Sequence, residues 1–333
     1  MLEQLNRKPA DLVAELAADL TRRARELDAR SIDQLALLVQ VATASAVYAT
    51  KAKAILAEPL RKAGIAINGT DWRSCGLALY GLWQKMTPAE VEARMAELGA
   101  ASRKKWFETF PKDTWDVDEK TLTDLYADTP PLLANGIHGL SDASLALRYY
   151  VAEMLAPVAN RLDQANSPGG NDSGGAADGR AADGGAFDWG GADGVTCTFL
   201  KSFGCRRVSL IEMSNSGREF ARWFNSQLSA GEFEILPDRP ARKFGAGICT
   251  EVLEHVVDPP KMIRQMYDML LPGGVMFVTS SYTVPQDTHL KSNLKYGGKE
   301  KQLMLDAGFK VWPATKHPPL PFLESWGFWQ KPT

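Results

Sequence analysis

The chain has 333 residues, of which 45% are hydrophobic and 23% are charged, and its formal net charge is −2. These values are typical of a folded globular protein long enough for one large or two ordinary domains, and they exclude an intrinsically disordered chain. The charge gives no reason to expect nucleic acid as a partner, because phosphate binding needs clustered lysine and arginine. No stretch approaches the roughly 18 apolar residues of a membrane helix, and the N-terminus has no apolar signal core. We therefore expect no membrane association. The four cysteines lack Cys-x-x-Cys spacing, so we expect reduced thiols in a cytoplasmic protein.

The first half of the chain carries helix signals and few strand signals. Between residues 31 and 59, apolar residues recur every three or four positions, as they do on one face of a helix. The sequence TPAE at 87–90 predicts a helix that begins with a capping box and a proline in the first turn. A further helix is predicted over 144–162. We therefore expect a helical N-terminal domain over residues 1–165, which either covers a substrate cleft or forms homo-oligomers.

The composition changes twice in the second half. Residues 166–185 are dominated by glycine, alanine and aspartate and predict a flexible linker. From residue 186 onward, short apolar segments such as RRVSLIEM and GGVMFVTSS alternate with amphipathic segments. This alternation predicts βαβ units. We expect an α/β domain over residues 186–333, with a doubly wound, mostly parallel sheet.

A glycine cluster follows the first predicted strand of this domain. The sequence FDWGGADG at 187–194 joins that strand to a helix, and glycine lets a backbone approach a ligand without a Cβ in the way. The second predicted strand ends in Glu212, which follows Gly194 at close to the roughly 20 residues at which doubly wound folds place a ribose-binding carboxylate. A carboxylate suits that task because it accepts two O–H donors at once. The two features together predict a site for a nucleoside-containing cofactor at the carboxyl ends of the strands.

Two further motifs follow the third predicted strand. EVLEHVVDP spans 251–259 and LPGG spans 271–274, in order behind the glycine loop and Glu212. With these motifs, the segment from about 186 to 333 resembles the class I S-adenosylmethionine-dependent methyltransferases. The resemblance implies a seven-stranded sheet of that type, S-adenosyl-L-methionine as cofactor with S-adenosyl-L-homocysteine as product, and methyl transfer to an oxygen or nitrogen of a small-molecule acceptor. The alternatives are an RNA or protein methyltransferase and a degenerate fold that serves only as a binding module.

The resemblance also assigns residues to the cofactor. The glycine loop matches the family pattern D-x-G-x-G-x-G at Asp188, Gly190 and Gly194, with Ala192 in place of the middle glycine. Glu212 is expected to accept the ribose hydroxyls. The full set of cofactor-binding residues that the resemblance implies is Asp188, Trp189, Gly190, Gly191, Gly194, Glu212, Met213, Asp238, Thr250 and Glu251.

Histidines after the third and fourth predicted strands, which correspond to the fourth and fifth strands of the family's sheet, are the candidate catalytic groups. A histidine can remove the proton of an acceptor hydroxyl near neutral pH, and His255 and His289 both fall on the cofactor side of the predicted sheet. Candidate substrate contacts are Tyr149, Tyr150 and Tyr282. We expect no metal ion. The alternative is a divalent cation on a set that resembles the cation ligands of methyltransferases acting on RNA 3′ ends and on quinone precursors, namely Glu251, Glu254, His255 and His289.

Overall fold

The computed structural model describes residue 43 and the segments 46–65, 72–110, 117–127, 142–166, 183–282, 289–313 and 327–333. Most of the predicted linker (167–182) and the first part of the helical pattern predicted between 31 and 59 lie outside the described residues. Within the segments that the structure describes, no helix combines the length and the apolar character needed to cross a membrane.

Seven strands form one sheet. In chain order they are β1 (Ala186–Trp189), β2 (Val208–Ile211), β3 (Glu234–Leu236), β4 (Phe244–Thr250), β5 (Leu270–Thr279), β6 (Lys310–Val311) and β7 (Gly327–Gln330). Their order across the sheet is β3-β2-β1-β4-β5-β7-β6. Neighbours from β3 to β5 run parallel, whereas β7 runs antiparallel to both β5 and β6. The sheet is thus mixed: parallel where strands and helices alternate, as the sequence predicts, and antiparallel at one edge.

Helices connect the parallel strands. They are α6 (Val195–Ser202), α7 (Asn215–Ser226), α8 (Pro259–Met269) and α9 (Glu300–Asp306), with 3₁₀ turns at Leu253–His255 and Lys291–Tyr296. Two of these helices, α7 and α8, begin where a side-chain oxygen accepts an otherwise unpaired N–H group. Ser214 accepts the N–H of Gly217 at 3.2 Å before α7, and Asp258 accepts the N–H of Lys261 at 2.9 Å before α8. These caps fix the helix starts at the carboxyl ends of β2 and β4.

The described residues of the first half are predominantly helical. They comprise the run 46–56 and the helices α1 (Glu58–Lys62), α2 (Trp72–Gln84), α3 (Pro88–Thr109), α4 (Glu119–Ala127) and α5 (Asp142–Asn166). The capping box predicted at 87–90 is confirmed. The N–H of Glu90 donates to Thr87 Oγ1 at 3.4 Å, and the N–H of Thr87 donates to Glu90 Oε2 at 2.7 Å.

The last helix of the first half, α5, packs against the sheet. It contacts β4, β5 and α6. In β4, a Cβ added at Gly245 would lie 3.1 Å from the Cα of Ala159, so the absence of a side chain lets the helix approach the strand. One hydrophobic core joins Leu56 and Leu155 of the helical half to Phe277 of the sheet. This packing carries side chains of α5 to the carboxyl ends of the central strands.

Candidate active site

The candidate site lies at the carboxyl ends of β1, β2, β4 and β5. The sheet order reverses between β1 and β4, and open α/β sheets bind ligands at such a switch point. Residues 190–194 follow β1, Glu212 follows β2, the turn 251–255 follows β4, and residues 280–282 follow β5. We call the part beside β1 and β2 the donor half and the part beside β4 and β5 the acceptor half.

The glycine loop depends on residues without side chains. Gly190 and Gly194 have φ of 72° and 74°, in the left-handed region that favours glycine. The N–H of Gly190 donates to the carbonyl of Ile211 at 2.8 Å, which ties the loop to β2. A Cβ at Gly191 would lie 2.2 Å from Asp188 Oδ2. The loop conformation therefore depends on glycine at these positions.

Glu212 joins the loop to the end of β2. Its side chain is 7% exposed, Oε2 accepts the N–H of Ala192 at 2.9 Å, and Oε1 accepts the N–H of Ser214 at 2.7 Å. Burial raises the pKa of this carboxyl, and the two N–H donors and Arg218 oppose the rise. Because each carboxylate oxygen has two lone pairs, both retain the capacity to accept a ligand hydroxyl.

Two buried aspartates face an arginine from α5. Asp193 Oδ1 accepts the N–H of Val195 at 2.9 Å and Nη1 of Arg148 at 3.3 Å. Asp188 is 1% exposed, and its Oδ2 accepts no hydrogen bond from the described residues. Burial raises the pKa of Asp188 to about 7, although the Arg148 guanidinium lowers it. In this part of the site, which we call the crevice together with the rest of the strand ends, the hydrogen-bond acceptor Asp188 Oδ2 lies near the Arg148 guanidinium.

Two carboxylates follow β4. Glu254 is 1% exposed, and its oxygens accept Ser280 Oγ at 2.8 Å and the N–H of Ser281 at 3.3 Å. Glu251 has a φ of 54° and accepts a hydrogen bond from Ser281 Oγ. Desolvation and the nearby Glu254 raise the pKa of Glu251, and burial raises that of Glu254. The residues after β5 thus hold both carboxylates at the acceptor half.

Glu254 converges with two histidines. Its carboxylate and the ring nitrogens of His255 and His289 lie within 4.8 Å of one another, and the two rings have their centroids 4.9 Å apart. Three of the four predicted cation ligands form this group, and Glu251 lies beside it. One carboxylate and two imidazoles are a donor set that suits a transition metal such as Mn²⁺ or Zn²⁺.

Asn293 holds the two histidine-bearing segments together. It is 1% exposed, and its Nδ2 donates to the carbonyls of Glu254 at 3.1 Å and Val256 at 2.8 Å. The N–H of Leu290 donates to the carbonyl of Glu254 at 3.1 Å. These bonds bring His289 beside His255, although the two residues are 34 positions apart in the sequence.

The other predicted site residues lie in different surroundings. Met213 is 39% exposed at the end of β2, and Asp238, past β3, is exposed and accepts the N–H of Arg239 at 2.6 Å. Trp189 ends β1, and Thr250 ends β4 and pairs in register with Thr279. The roles of these residues stay predictions.

The three tyrosines predicted to contact substrate are all buried. Tyr149 packs on Phe199 and Phe203 of α6 and its loop, and Tyr150 packs on Phe328 of β7. Tyr282 belongs to the core cluster beneath α8. None of these packing contacts involves the histidines, and a substrate role for the three residues stays a prediction.

Two residues of the helical half lie at the crevice although no sequence motif marks them. Arg148 lies between Leu145 and Ala152 on the buried face of α5, and an arginine in that apolar stripe is the only signal it gives. Tyr126 of α4 has its ring centroid 6.2 Å from that of His255, and its hydroxyl is buried without a hydrogen-bond partner among the described residues.

Residues 180–314 match the family model described as "Methyltransferase domain". Ubiquinone biosynthesis O-methyltransferase of Coxiella burnetii is 33% identical over 72 residues, which is 22% of this chain and 30% of the relative. The same enzyme of Pseudomonas putida is 40% identical over 47 residues, 14% of this chain and 20% of the relative. The chain therefore matches less than a third of the length of these curated relatives.

Two of the solved structures to which the chain is similar are named for an activity, and one of them contains a bound product. The N-methyltransferase NodS of Bradyrhizobium japonicum, in complex with S-adenosyl-L-homocysteine, is 15% identical, with 44% of this chain and 78% of that chain covered and a TM-score of 0.34. The [4+2]-cyclase SpnF is 17% identical, with 60% and 74% covered and a TM-score of 0.38. Because residues 180–314 match the domain model and carry the loop, the strand-end acid and the turn after β4 in one sheet, this part of the chain is a methyltransferase domain.

Proposed function

We propose that the chain uses S-adenosyl-L-methionine to methylate an oxygen of a small molecule. The observation that carries the proposal is the Glu212 carboxylate, buried at the end of β2 and bonded to the N–H groups of Ala192 and Ser214. That arrangement fixes a double acceptor beside the glycine loop, as binding of a ribose requires. The local similarity to O-methyltransferases supports oxygen over nitrogen as the methylated atom.

The donor half fits the cofactor. Glu212 would accept the two ribose hydroxyls, and the glycine loop would form the wall beside the methionine part. Asp188 would accept the cofactor's ammonium group, because its buried Oδ2 receives no hydrogen bond from the described residues. Arg148, next to the aspartates, would attract the cofactor's carboxylate. When bound, the cofactor supplies a methyl group on a positively charged sulfur, which leaves as a neutral thioether.

The acceptor half supplies the base. As the carbon–oxygen bond forms and the carbon–sulfur bond breaks, the proton of the acceptor hydroxyl must pass to a protein group. His255 and His289 are the candidates, because both imidazoles lie in the same group with Glu254. The Glu254 carboxylate would stabilise the imidazolium that results, as a carboxylate does for the histidine of a catalytic triad.

A divalent cation on Glu254, His255 and His289 is the second candidate for this half. The observation that favours it is the convergence of three donor atoms within 4.8 Å. A cation bound there would lower the pKa of the acceptor hydroxyl. Dialysis against EDTA followed by metal analysis and assay separates the two candidates. Loss of activity with recovery on Mn²⁺ supports the cation, and full activity of the metal-free protein supports the histidine base.

Calorimetric titration with S-adenosyl-L-homocysteine tests the donor half. We expect the wild type to bind and Glu212→Ala to bind about 100-fold more weakly, because charge-assisted hydrogen bonds are lost. Glu219→Ala, which removes an exposed acid of α7, is the matched control and should bind as the wild type does. No binding by the wild type, or equal binding by Glu212→Ala, would refute the proposal.

The remaining alternatives make different predictions in the same assay. A degenerate fold would bind the product yet transfer no methyl group from labelled S-adenosyl-L-methionine to any member of a panel of phenols and amines. An RNA methyltransferase would bind RNA with an affinity that falls steeply with salt, and the net charge of −2 argues against it.

A further inference from the structure

The helix α4 is held against the acceptor half by an apolar cluster. Leu122 and Leu125 of α4 pack with Trp106 and Phe110 of the α3 end and with Leu290, which follows His289. At its other end, Glu119 forms a 2.9 Å ion pair with Lys261 of α8. The ion pair is exposed and contributes little, so the apolar cluster sets the position of the helix.

This packing buries the hydroxyl of Tyr126. The oxygen is shielded from solvent and has no hydrogen-bond partner among the described residues. Buried polar groups in native proteins are normally hydrogen-bonded. The Tyr126 hydroxyl lies next to the candidate active site. We therefore expect a bound ligand to be its hydrogen-bond partner.

The ring contacts of Tyr126 place its side chain beside the acceptor half of the crevice. Its ring lies edge-on to His255, with the centroids 6.2 Å apart, and edge-on to Trp106 at 6.3 Å. Burial, with smaller contributions from the Glu254 and Glu212 carboxylates, raises the pKa of the phenol. The contact with His255 places the Tyr126 ring at the acceptor half.

Resting on the proposed function, we infer that Tyr126 is a catalytic residue contributed by the helical half, whose buried hydroxyl donates a hydrogen bond to the acceptor oxygen beside His255. A protonated phenol near neutral pH is a hydrogen-bond donor. It keeps its proton throughout, while the proton released by the acceptor passes to the base of the acceptor half. Tyr126 thereby orients the acceptor oxygen toward the donor half.

The test is Tyr126→Phe, which removes only the hydroxyl. Catechol serves as the acceptor probe and is titrated into the S-adenosyl-L-homocysteine complex. We expect the variant complex to bind catechol about 10-fold more weakly, the affinity for S-adenosyl-L-homocysteine to be unchanged, and the thermal midpoint to stay equal or rise. Tyr267→Phe in α8, whose ring packs on Phe309 just before β6, should match the wild type in all three measurements.

Several outcomes would overturn the inference. Catechol binding by Tyr126→Phe as tight as that of the wild type would do so, and so would a wild-type complex that binds no catechol. A lower thermal midpoint would mean that the hydroxyl has a partner within the protein and acts structurally. Failure of the wild type to bind S-adenosyl-L-homocysteine is the separate result that removes the proposed function itself.

Discussion

The two halves of the crevice are built in different ways. In the donor half, backbone N–H groups and one carboxylate from two short neighbouring segments, 188–194 and 212–214, hold one another in place. In the acceptor half, side chains from three distant segments meet: Tyr126, the pair Glu254 and His255, and His289. The donor half therefore depends on local backbone geometry, and the acceptor half depends on how helices and turns pack. Binding of a common cofactor needs the first property, and selection of a particular acceptor is served by the second.

The largest expected effect comes from the acceptor half. We expect His255→Ala to lower kcat by about 10²–10⁴-fold, because general base catalysis contributes that much. Affinity for S-adenosyl-L-homocysteine should stay unchanged, since His255 belongs to the acceptor half, beside Tyr126 and His289. Methyl transfer assays and calorimetry on the same preparation check both. A variant that loses cofactor affinity together with activity would mean that the two halves are not separable.

The second largest effect is a loss of cofactor affinity from a change in the donor half alone. Gly191→Ala places a Cβ 2.2 Å from Asp188 Oδ2, so the loop must shift. We expect affinity for S-adenosyl-L-homocysteine to fall by about 100-fold, as displacements of this size in a binding site do. Gly99→Ala is the control, because a Cβ there meets open space. Undiminished affinity in Gly191→Ala would contradict the role assigned to the loop.

A smaller effect is expected from the side chain that assembles the acceptor half. Asn293→Ala removes the donor to the carbonyls of Glu254 and Val256. We expect a loss of about 1–3 kcal/mol of unfolding free energy, because the Val256 carbonyl loses this hydrogen bond and the Glu254 carbonyl keeps only the N–H of Leu290. Asn225→Ala removes a similar buried bond, at 3.1 Å to the carbonyl of Phe233, between α7 and the loop before β3. Urea unfolding should show comparable losses for the two variants, whereas kcat should fall only in Asn293→Ala. Equal kcat in both would argue against a positioning role.

The last prediction concerns stability alone: the pH dependence of unfolding of the protein without ligand. The pKa of Asp188 is raised to about 7, so the folded state holds a proton that the unfolded chain has released, and the free energy of unfolding falls as pH rises from about 4 to about 7. Asp188→Asn stays neutral and lacks this decline. We expect the variant to exceed the wild type in stability at pH 8, by at most about 4 kcal/mol, and to equal it near pH 4.

Urea unfolding at pH 4, 6 and 8 measures that difference. Asp238→Asn, which changes an exposed acid, should run parallel to the wild type at every pH. Parallel curves for Asp188→Asn as well would mean that the aspartate is ionised in the folded protein throughout.

Much of the donor half could be predicted from the sequence because its parts are contiguous. A glycine loop behind a strand and an acid after the next strand are local patterns, and the sheet brings their ends together whatever covers them. The convergence of Glu254, His255 and His289 was reached from the sequence only as an alternative set of cation ligands. Its geometry depends on Asn293, a buried amide in a 3₁₀ turn that carries no motif.

Arg148 and Tyr126 could not be predicted, since each reaches the crevice through helix packing. The sequence favoured Tyr149 and Tyr150 as the aromatic candidates, and helical periodicity cannot tell an aromatic residue of the core from one that faces a ligand. Gly245 illustrates the same limit in β4. Glycine at this position allows the close approach of Ala159 in α5, and the sequence does not show that this helix packs there.

The packing of α5 against β4 and β5 limits which parts of the protein can be produced separately. A truncated protein that starts at residue 183 would keep the whole sheet and every residue of the methyltransferase motifs, and it would lose the helix that covers an apolar face of the central strands. Such a bare face promotes aggregation. The catalytic half is therefore not a module that can be cloned apart from its N-terminal neighbour, and shuffling between homologues would have to exchange the two together.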